Sequence, residues 1–450
     1  MMKFYSRLVN KQSNSINLSP PSLLALGFLS FIILGSILLK LPFSHHGDIS
    51  WLDAIFTATS AVTITGLSVV NIGEAYTTLG QFIIMLLIQC GGLGFMTFAI
   101  LAALSLSTKI GLKQQVMAQE TIGQTSLANA TFTMKGVLLY SLFFEGIGTI
   151  ILTIAWMPTY EFKQALFYAA FYSVSAFNNG GFSLFPNSLM SFSGQYMVTL
   201  TISMLYIIGG IGFVVLMDIK RCHSWKKLSA NSKLILSTIA GINLFAFIAI
   251  WSIEANNPLT LAPMSVGDQA LNAWFHATVP RSSGFNSIEV SNMSDPATLV
   301  TMLLMFIGGG SLSTAGGIKV GTFIIMVLSV ITFLRRSDEL RVFKHSIPAT
   351  TTYKALAVVS ITSMLICIGF FSLLILEPNK SFLDLMFEAV SAACTVGLSR
   401  GITAELQPMS LMILMLLMFT GRLGPLTLAY LIATPKKSRL SHPKTEIQIG

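Results

Sequence analysis

The chain has 450 residues, 53% of them hydrophobic and only 10% charged, with a mean hydropathy of +0.74. A soluble domain carries about 25% charged residues, so this composition excludes a cytosolic enzyme, a nucleic-acid binder and a disordered chain. The net charge of +9 reads as loop bias in a membrane protein, and the scattered Cys90, Cys222, Cys367 and Cys394 make neither a disulfide framework nor a zinc site.

In chain order, eight nearly charge-free runs are long enough to cross about 30 Å of hydrocarbon as helices. They are 22–41, 78–105, 136–157, 196–217, 234–254, 297–334, 354–376 and 408–434. The first follows Lys3, Arg7 and Lys11, but it exceeds a signal peptide's apolar core and no small-residue cleavage site follows, so it reads as a retained helix. Between the members of each successive pair of runs lies a shorter segment: 51–62, 164–177, 270–279 and 382–393. At 10–14 residues each is too short to cross, and is either a surface-lying helix or a re-entrant half-helix.

An internal repeat decides for the half-helix. Each short segment leads to a glycine: Gly66, Gly181, Gly284 and Gly397, at intervals of 115, 103 and 113 residues. Ten residues before each stands an aromatic (Phe56, Phe171, Trp274, Phe387), and six before each a hydroxyl residue (Ser60, Ser175, Thr278, Ser391). Leu67, Phe182, Phe285 or Leu398 comes immediately after, and 24–28 residues further on the next run carries a small-residue break, at Gly91, Gly209, Gly308 and Gly421. A period of this kind defines a fold. The expectation is an all-α polytopic membrane protein of four span–pore-helix–span repeats, with eight transmembrane helices and four re-entrant half-helices around a pseudo-fourfold central pore.

Twenty of the 27 Lys and Arg fall in the N-terminus, the loops after runs two, four and six, and the C-terminus. Lys40, Lys163, Arg281, Lys380 and Arg400 fall on the opposite side, and Lys319 and Arg422 within runs. The positive-inside rule then puts both termini in the cytoplasm. The repeats are 18–105, 135–217, 234–334 and 353–434, and the cytoplasmic segments 1–17, 106–134, 218–233, 335–352 and 435–450. The outer side also holds twelve acids, among them Asp53, Glu254, Asp268, Glu289, Glu377, Asp384, Glu388 and Glu405, which reads as a cation-concentrating vestibule.

A half-helix that stops at mid-membrane ends in unpaired carbonyls and partial negative charge. Four such ends on one axis favour a cation, and the strands leaving them can expose carbonyls only along a watery path. Thr395-Val396-Gly397 matches the start of the TVGYG filter of potassium channels. The other turns are Thr63-Ile64-Thr65-Gly66, Asn179-Gly180-Gly181 and Ser282-Ser283-Gly284, and none has a second filter glycine. Fewer carbonyl rings and looser discrimination follow. A potassium site is expected at Gly66, Gly181, Gly284 and Gly397.

The sixth run is too long, since 38 helical residues would extend about 57 Å. Its centre, Gly308-Gly309-Gly310-Ser311-Leu312-Ser313-Thr314-Ala315-Gly316-Gly317, is half glycine, so two helices joined by an intramembrane gating loop are predicted, with a flexible packing kink as the plain alternative. Arg422 is expected to steady this loop, with Glu145 as a possible partner. Lys319 either joins the gate or snorkels to the cytoplasmic interface.

These residues resemble the Trk/Ktr/HKT superfamily of potassium transporters, most tellingly in WLDAIFTATSAVTITGLSVV, SAFNNGGFSLFP, PRSSGFNS, SAACTVGLSRG, GGGSLSTAGGIKVGTF and GRLGPLT. The similarity covers nearly the whole chain, and eight runs without an additional N-terminal pair look most like the Ktr pore-forming subunit. It implies a plasma-membrane homodimer with one pore per chain and potassium (K+) uptake, sodium-dependent (Na+) in several members. It also implies a cytoplasmic ring of KtrA-like regulatory subunits that bind nucleotide. By resemblance the four glycines form the filter, 308–317 the gating loop and Arg422 the basic residue beside it. Gly180 replaces a common alanine. The basic loops (Lys220, Arg221, Lys226, Lys227; Arg335, Arg336, Arg341, Lys344) serve orientation, or dock a regulatory ring or anionic membrane lipids. A sodium or unselective cation transporter of the same superfamily, or a secondary transporter of other mechanism, is the alternative. No catalytic constellation and no nucleic-acid partner is read.

Overall fold

The computed structural model describes residues 20–107, 130–337, 339–424 and 427. The expected segments 1–17 and 435–450, and most of the loop 106–134, lie outside the described residues.

Four similar units follow one another. The first is α1 (Pro20–Lys40), α2 (Trp51–Thr63) and α3 (Thr78–Ser107). The second is α4 (Ala130–Trp156), α5 (Phe162–Phe177), α6 (Tyr196–Ile211) and α7 (Phe213–Cys222). The third is α8 (Ala230–Glu254), α9 (Val266–Thr278), α10 (Asp295–Phe306) and α11 (Val320–Leu334). The fourth is α12 (Ala349–Leu376), α13 (Phe382–Ala393) and α14 (Pro408–Leu423). A two-stranded hairpin, β1 (Arg341–Val342) with β2 (His345–Ser346), joins the last two units.

Among the described residues Gly136–Trp156, α8 and α12 are long and apolar enough to cross a membrane, and the α6–α7 pair, bent by 92°, makes a fourth. Leu24–Lys40, Thr78–Leu93, α10, α11 and α14 are apolar but shorter. Leu138, Leu139, Leu142, Phe143, Ile150, Phe245, Phe371 and Ile375 are exposed on the long helices. Such surface would promote aggregation in water but suits a lipid environment.

The first helix of each unit packs on its short helix, and the second helix closes the unit. The units join in a cycle. Helix α3 packs on α5, α6 on α9, α10 on α13, and α14 returns to α2. The aromatics at the repeat position belong to the core, with Phe56, Phe171 and Phe387 fully buried; in the third unit the neighbouring Phe275 is fully buried and Trp274 only half-buried.

The expectation of a break at every small-residue motif needs correction. Helix α3 runs unbroken through Gly91 and Gly92. The motif's first glycine serves close approach instead. A Cβ on Gly91 would stand 2.1 Å from Val62 O at the end of α2, one on Gly209 1.9 Å from Phe177 O at the end of α5, and one on Gly421 2.1 Å from Ala393 O at the end of α13. Among the described residues other segments take over backbone hydrogen bonds where the chain breaks at Gly212 (φ +102) and across 307–319, while α14 ends at Gly424 (φ +81).

Candidate permeation site

The four short helices are set by their ends. Ser50 and Asp53 form a capping box on α2, with Oγ accepting from Asp53 N at 3.1 Å and Asp53 Oδ2 accepting from Ser50 N at 3.0 Å. Ser265 caps α9 by accepting from Asp268 N. Beyond each C-terminus the chain turns through Gly66, Gly181, Gly284 and Gly397, with φ of +91°, +68°, +70° and +89°. Two residues before each glycine a non-glycine residue is also left-handed: Ile64, Asn179, Ser282 and Thr395, at +56°, +61°, +77° and +48°. Only asparagine adopts that conformation readily, so the strain at Ile64, Ser282 and Thr395 is held by the surrounding packing.

The turns converge. A Cβ on Gly66 would lie 2.6 Å from Gly180 O, one on Gly181 2.8 Å from Ser283 O, one on Gly284 2.8 Å from Val396 O, and one on Gly397 2.0 Å from Thr65 O. Each glycine therefore abuts the carbonyl that precedes the next unit's glycine, and the fourth abuts the first. The hydroxyl six residues before the glycine braces this ring. Gly66 N–H donates to Ser60 Oγ at 3.0 Å and Gly397 N–H to Ser391 Oγ at 3.1 Å, while Ser175 Oγ donates to Phe182 O at 3.0 Å. In the third unit Thr278 Oγ1 is bonded to the Tyr206 hydroxyl at 2.6 Å instead. Thr63, at the end of α2, shares a 2.8 Å hydrogen bond with the Thr65 hydroxyl.

All four glycines line one face of a cavity of about 360 Å³, walled by the strands that leave them. Its only lining acid is Glu289, so the acidic vestibule expected from the sequence is corrected. The other acids hold the fold. Glu254 accepts from Ser294 and Glu377 from Gln407 N and Ser410, each tying the end of a unit's first long helix to the start of the helix beyond its short one. Asp384 pairs with Arg400 at 2.6 Å, and Glu388 accepts from Ser399 and Thr403. Lys380 pairs with Glu405 and holds its carboxyl below the usual carboxylate range. A carboxylate placed among apolar helices needs such partners.

On the opposite side of the ring lies the segment 307–319. Its ends are stapled together, Gly308 N to Ile318 O at 2.9 Å and Val320 N to Gly309 O at 2.9 Å. Its middle, residues 312–316, is buried, whereas Ser311 is exposed. Gly310 N donates to Gly210 O at 2.8 Å and Phe213 N to Leu312 O at 3.1 Å, which accounts for the break between α6 and α7. Thr314 Oγ1 donates to Phe177 O at 3.3 Å, and a Cβ on Gly309 would lie 2.8 Å from Ser313 Oγ. A Cβ on Gly316 would stand 1.8 Å from Thr395 Oγ1, which sets the segment directly against the fourth turn. Gly317 has φ +63°.

Arg422 is buried and donates from Nη1 to Thr314 O at 2.6 Å and from Nη2 to Gly91 O at 3.0 Å. Lys319 Nζ donates to Ala315 O at 2.6 Å, so this side chain turns into the segment. Glu145 does not pair with either cation. It accepts from Ser141 at 2.9 Å, Asn178 at 3.0 Å and Gln89 at 3.1 Å, a cluster behind the end of α5. Arg281, counted with the outer-side cations in the sequence, is buried beside a cavity of about 10 Å³ that Gly210 and Gly309 also line. Sequence reasoning missed Gly91 O as a partner of Arg422, the Gln89–Glu145–Asn178 cluster and a second role of Ser282. Only the unusual Glu145 within an apolar run offered a signal.

A ring of converging glycine turns, backed by a broken helix, defines a transport protein rather than a catalyst. Residues 28–441 match the family described as "TrkH: Cation transport protein", and the chain belongs to that family. It is an integral membrane transporter and not an enzyme. Among its relatives, the Ktr system potassium uptake protein B of Bacillus subtilis (strain 168) is 43% identical over 97% of this chain and 98% of that protein. The potassium/sodium uptake protein NtpJ of Enterococcus hirae is 33% identical over 96% and 98%. The potassium transporter TrkH from Vibrio parahaemolyticus shares the fold, with a TM-score of 0.74 at 19% identity over 95% of this chain and 87% of that one.

Proposed function

We propose that the chain carries potassium inward across the plasma membrane, through a filter at Gly66, Gly181, Gly284 and Gly397, past a gate at 308–317. The observation that carries this reading is the closed cycle in which each glycine abuts the next turn's carbonyl. An ion arriving from the outer cavity exchanges hydration water for main-chain oxygens and the partial negative charge at the ends of α2, α5, α9 and α13. One well-formed ring, without the further rings of a TVGYG filter, sets moderate discrimination. Below it the 308–317 segment closes the path, and Arg422 holds it seated.

In this reading eight spans and four re-entrant helices form the repeats 18–105, 135–217, 234–334 and 353–434, with both termini in the cytoplasm. The chain works as a homodimer with one pore per protomer. A cytoplasmic nucleotide-binding ring meets the basic loops, and sodium stimulates uptake. The name of the Enterococcus hirae relative supports a second reading, in which sodium is itself carried.

The test is growth at low potassium of a host lacking its own potassium uptake, with rubidium influx measured with and without the regulatory partner. Restored growth with partner-stimulated influx is expected. A membrane-inserted protein without rubidium or potassium flux contradicts the proposal, and sodium flux that potassium does not inhibit selects the second reading.

A further inference from the structure

The gating segment and the filter ring meet at one hydroxyl. Ser282, two residues before Gly284, is buried at 1% exposure with φ +77°. Its Oγ donates to Thr395 O, in the fourth turn, at 2.7 Å and accepts from Gly316 N–H, in the 307–319 segment, at 2.8 Å. A serine hydroxyl has a single proton, and here it is committed to the fourth turn while a lone pair is committed to the segment. The segment packs tightly on the fourth turn here, since a Cβ on Gly316 would be 1.8 Å from Thr395 Oγ1 and 2.6 Å from Cys394 O. Thr395 Oγ1 has no hydrogen-bond partner among the described residues, so Ser282 is the polar tie between this turn and the segment. Thr314 Oγ1, the neighbouring candidate, reaches only Phe177 O at the end of α5.

We propose that Ser282 is a positioning residue that couples the gate to the filter. With the segment seated, the hydroxyl is fixed from both sides and holds the Thr395 carbonyl in one orientation. When the segment withdraws, Gly316 N–H leaves, the hydroxyl is free to rotate, and the Thr395 carbonyl changes the oxygen cage that an ion meets. Coupling between two sites is reciprocal, so an ion in the turn also biases the segment. Gate position and ion preference are thereby one linked equilibrium. This rests on reading 308–317 as the gate and the four turns as the filter.

The experiment is a double-mutant cycle on the purified full chain in liposomes, reading rubidium influx and its inhibition by sodium. The four proteins are wild type, Ser282→Ala, Arg422→Ala and the double variant. Arg422→Ala unseats the segment. On the wild-type background it is expected to shift the sodium inhibition constant by about fivefold or more, the low end of coupling between linked sites. On the Ser282→Ala background the same change is expected to shift it by under about twofold, the scatter of independent sites. Ser282→Thr is expected to restore the coupled shift, because Thr395 shows that threonine fits the equivalent left-handed position. Where Ser282→Ala does not reconstitute, Ser282→Cys, with a weak donor of similar size, takes its place under the same criterion. Equal shifts on both backgrounds in a rubidium-carrying protein overturn the proposal alone. A wild-type protein that carries no rubidium overturns the potassium reading and the proposal with it.

Discussion

The four glycine turns and the 307–319 segment are both glycine-rich interruptions of helix, yet they combine the uses of glycine in different proportion. At Gly66, Gly181, Gly284 and Gly397 the backbone itself is left-handed, and in three of the four units a hydroxyl of the short helix braces the turn. In the segment, Gly308, Gly309, Gly310 and Gly316 have ordinary φ, but a Cβ on them would stand 1.7–2.5 Å from Gly316 O, Gly210 O, Ile211 O and Thr395 Oγ1. The turns add to left-handed backbone and local bonds a close approach across units, at 2.0–2.8 Å for a Cβ. The segment is held mainly by fit against other units and by a few long-range donors. Under the function proposed above, a stable site and a movable plug are made from the same residue type.

The sharpest way to break this contrast is to add a side chain to a turn. Gly397→Ser combines φ +89° with a Cβ 2.0 Å from Thr65 O. It is expected to lower the rubidium-over-sodium preference in liposome flux by at least about tenfold, the factor that about 1.4 kcal/mol carries. An unchanged preference removes Gly397 from the filter. Next in size is Arg422→Ala, which deletes the donors to Thr314 O and Gly91 O. Hydrogen bonds from a charged group contribute about 1.5–3 kcal/mol each, so basal rubidium flux is expected to rise about tenfold. Equal or lower flux in well-folded protein shows that the segment is not held shut there.

A smaller effect belongs beside the cavity, where Arg400 joins Asp384 at 2.6 Å, Thr298 Oγ1 at 2.9 Å and Ser291 O at 3.1 Å. Arg400→Ala is expected to lower Tm in detergent by about 2–4 °C, the shift that roughly 1 kcal/mol produces in a large domain. No change in Tm means that this cluster does not brace the cavity wall. The smallest is Glu405→Gln. Lys380 depresses the Glu405 carboxyl, so the pair's contribution is present above the ordinary glutamate pKa of about 4.3 and is lost as pH falls through the lower folded value. Because the pair is exposed, Tm at pH 7 is expected to fall only slightly, with wild type and variant converging in acid.

The repeat register was legible because it is written in residue types at fixed offsets: aromatic, hydroxyl, glycine, apolar. The overlong run was legible too, since no continuous helix tolerates Gly308–Gly317 cheaply. What stayed hidden depends on partners distant in sequence. Nothing local tells that Ile64 and Thr395, poor candidates for left-handed backbone, share it with Asn179. Gly91 and Gly308 look alike in sequence, but only the chain at Gly308 finds substitute backbone partners, so α3 stays helical. Charges misled in the same way. Arg281 and Glu388 carry outer-side positions in the sequence, and burial beside other units gives them structural partners or surroundings instead.

The contact of α14 with α2, and of Gly397 with Thr65 O, has a consequence for biosynthesis. The first turn to leave the ribosome waits for the last to close the ring around it. A nascent chain three units long has an open flank and no finished conduit. The four units can therefore be made one after another, but the ring closes only once the fourth is in place.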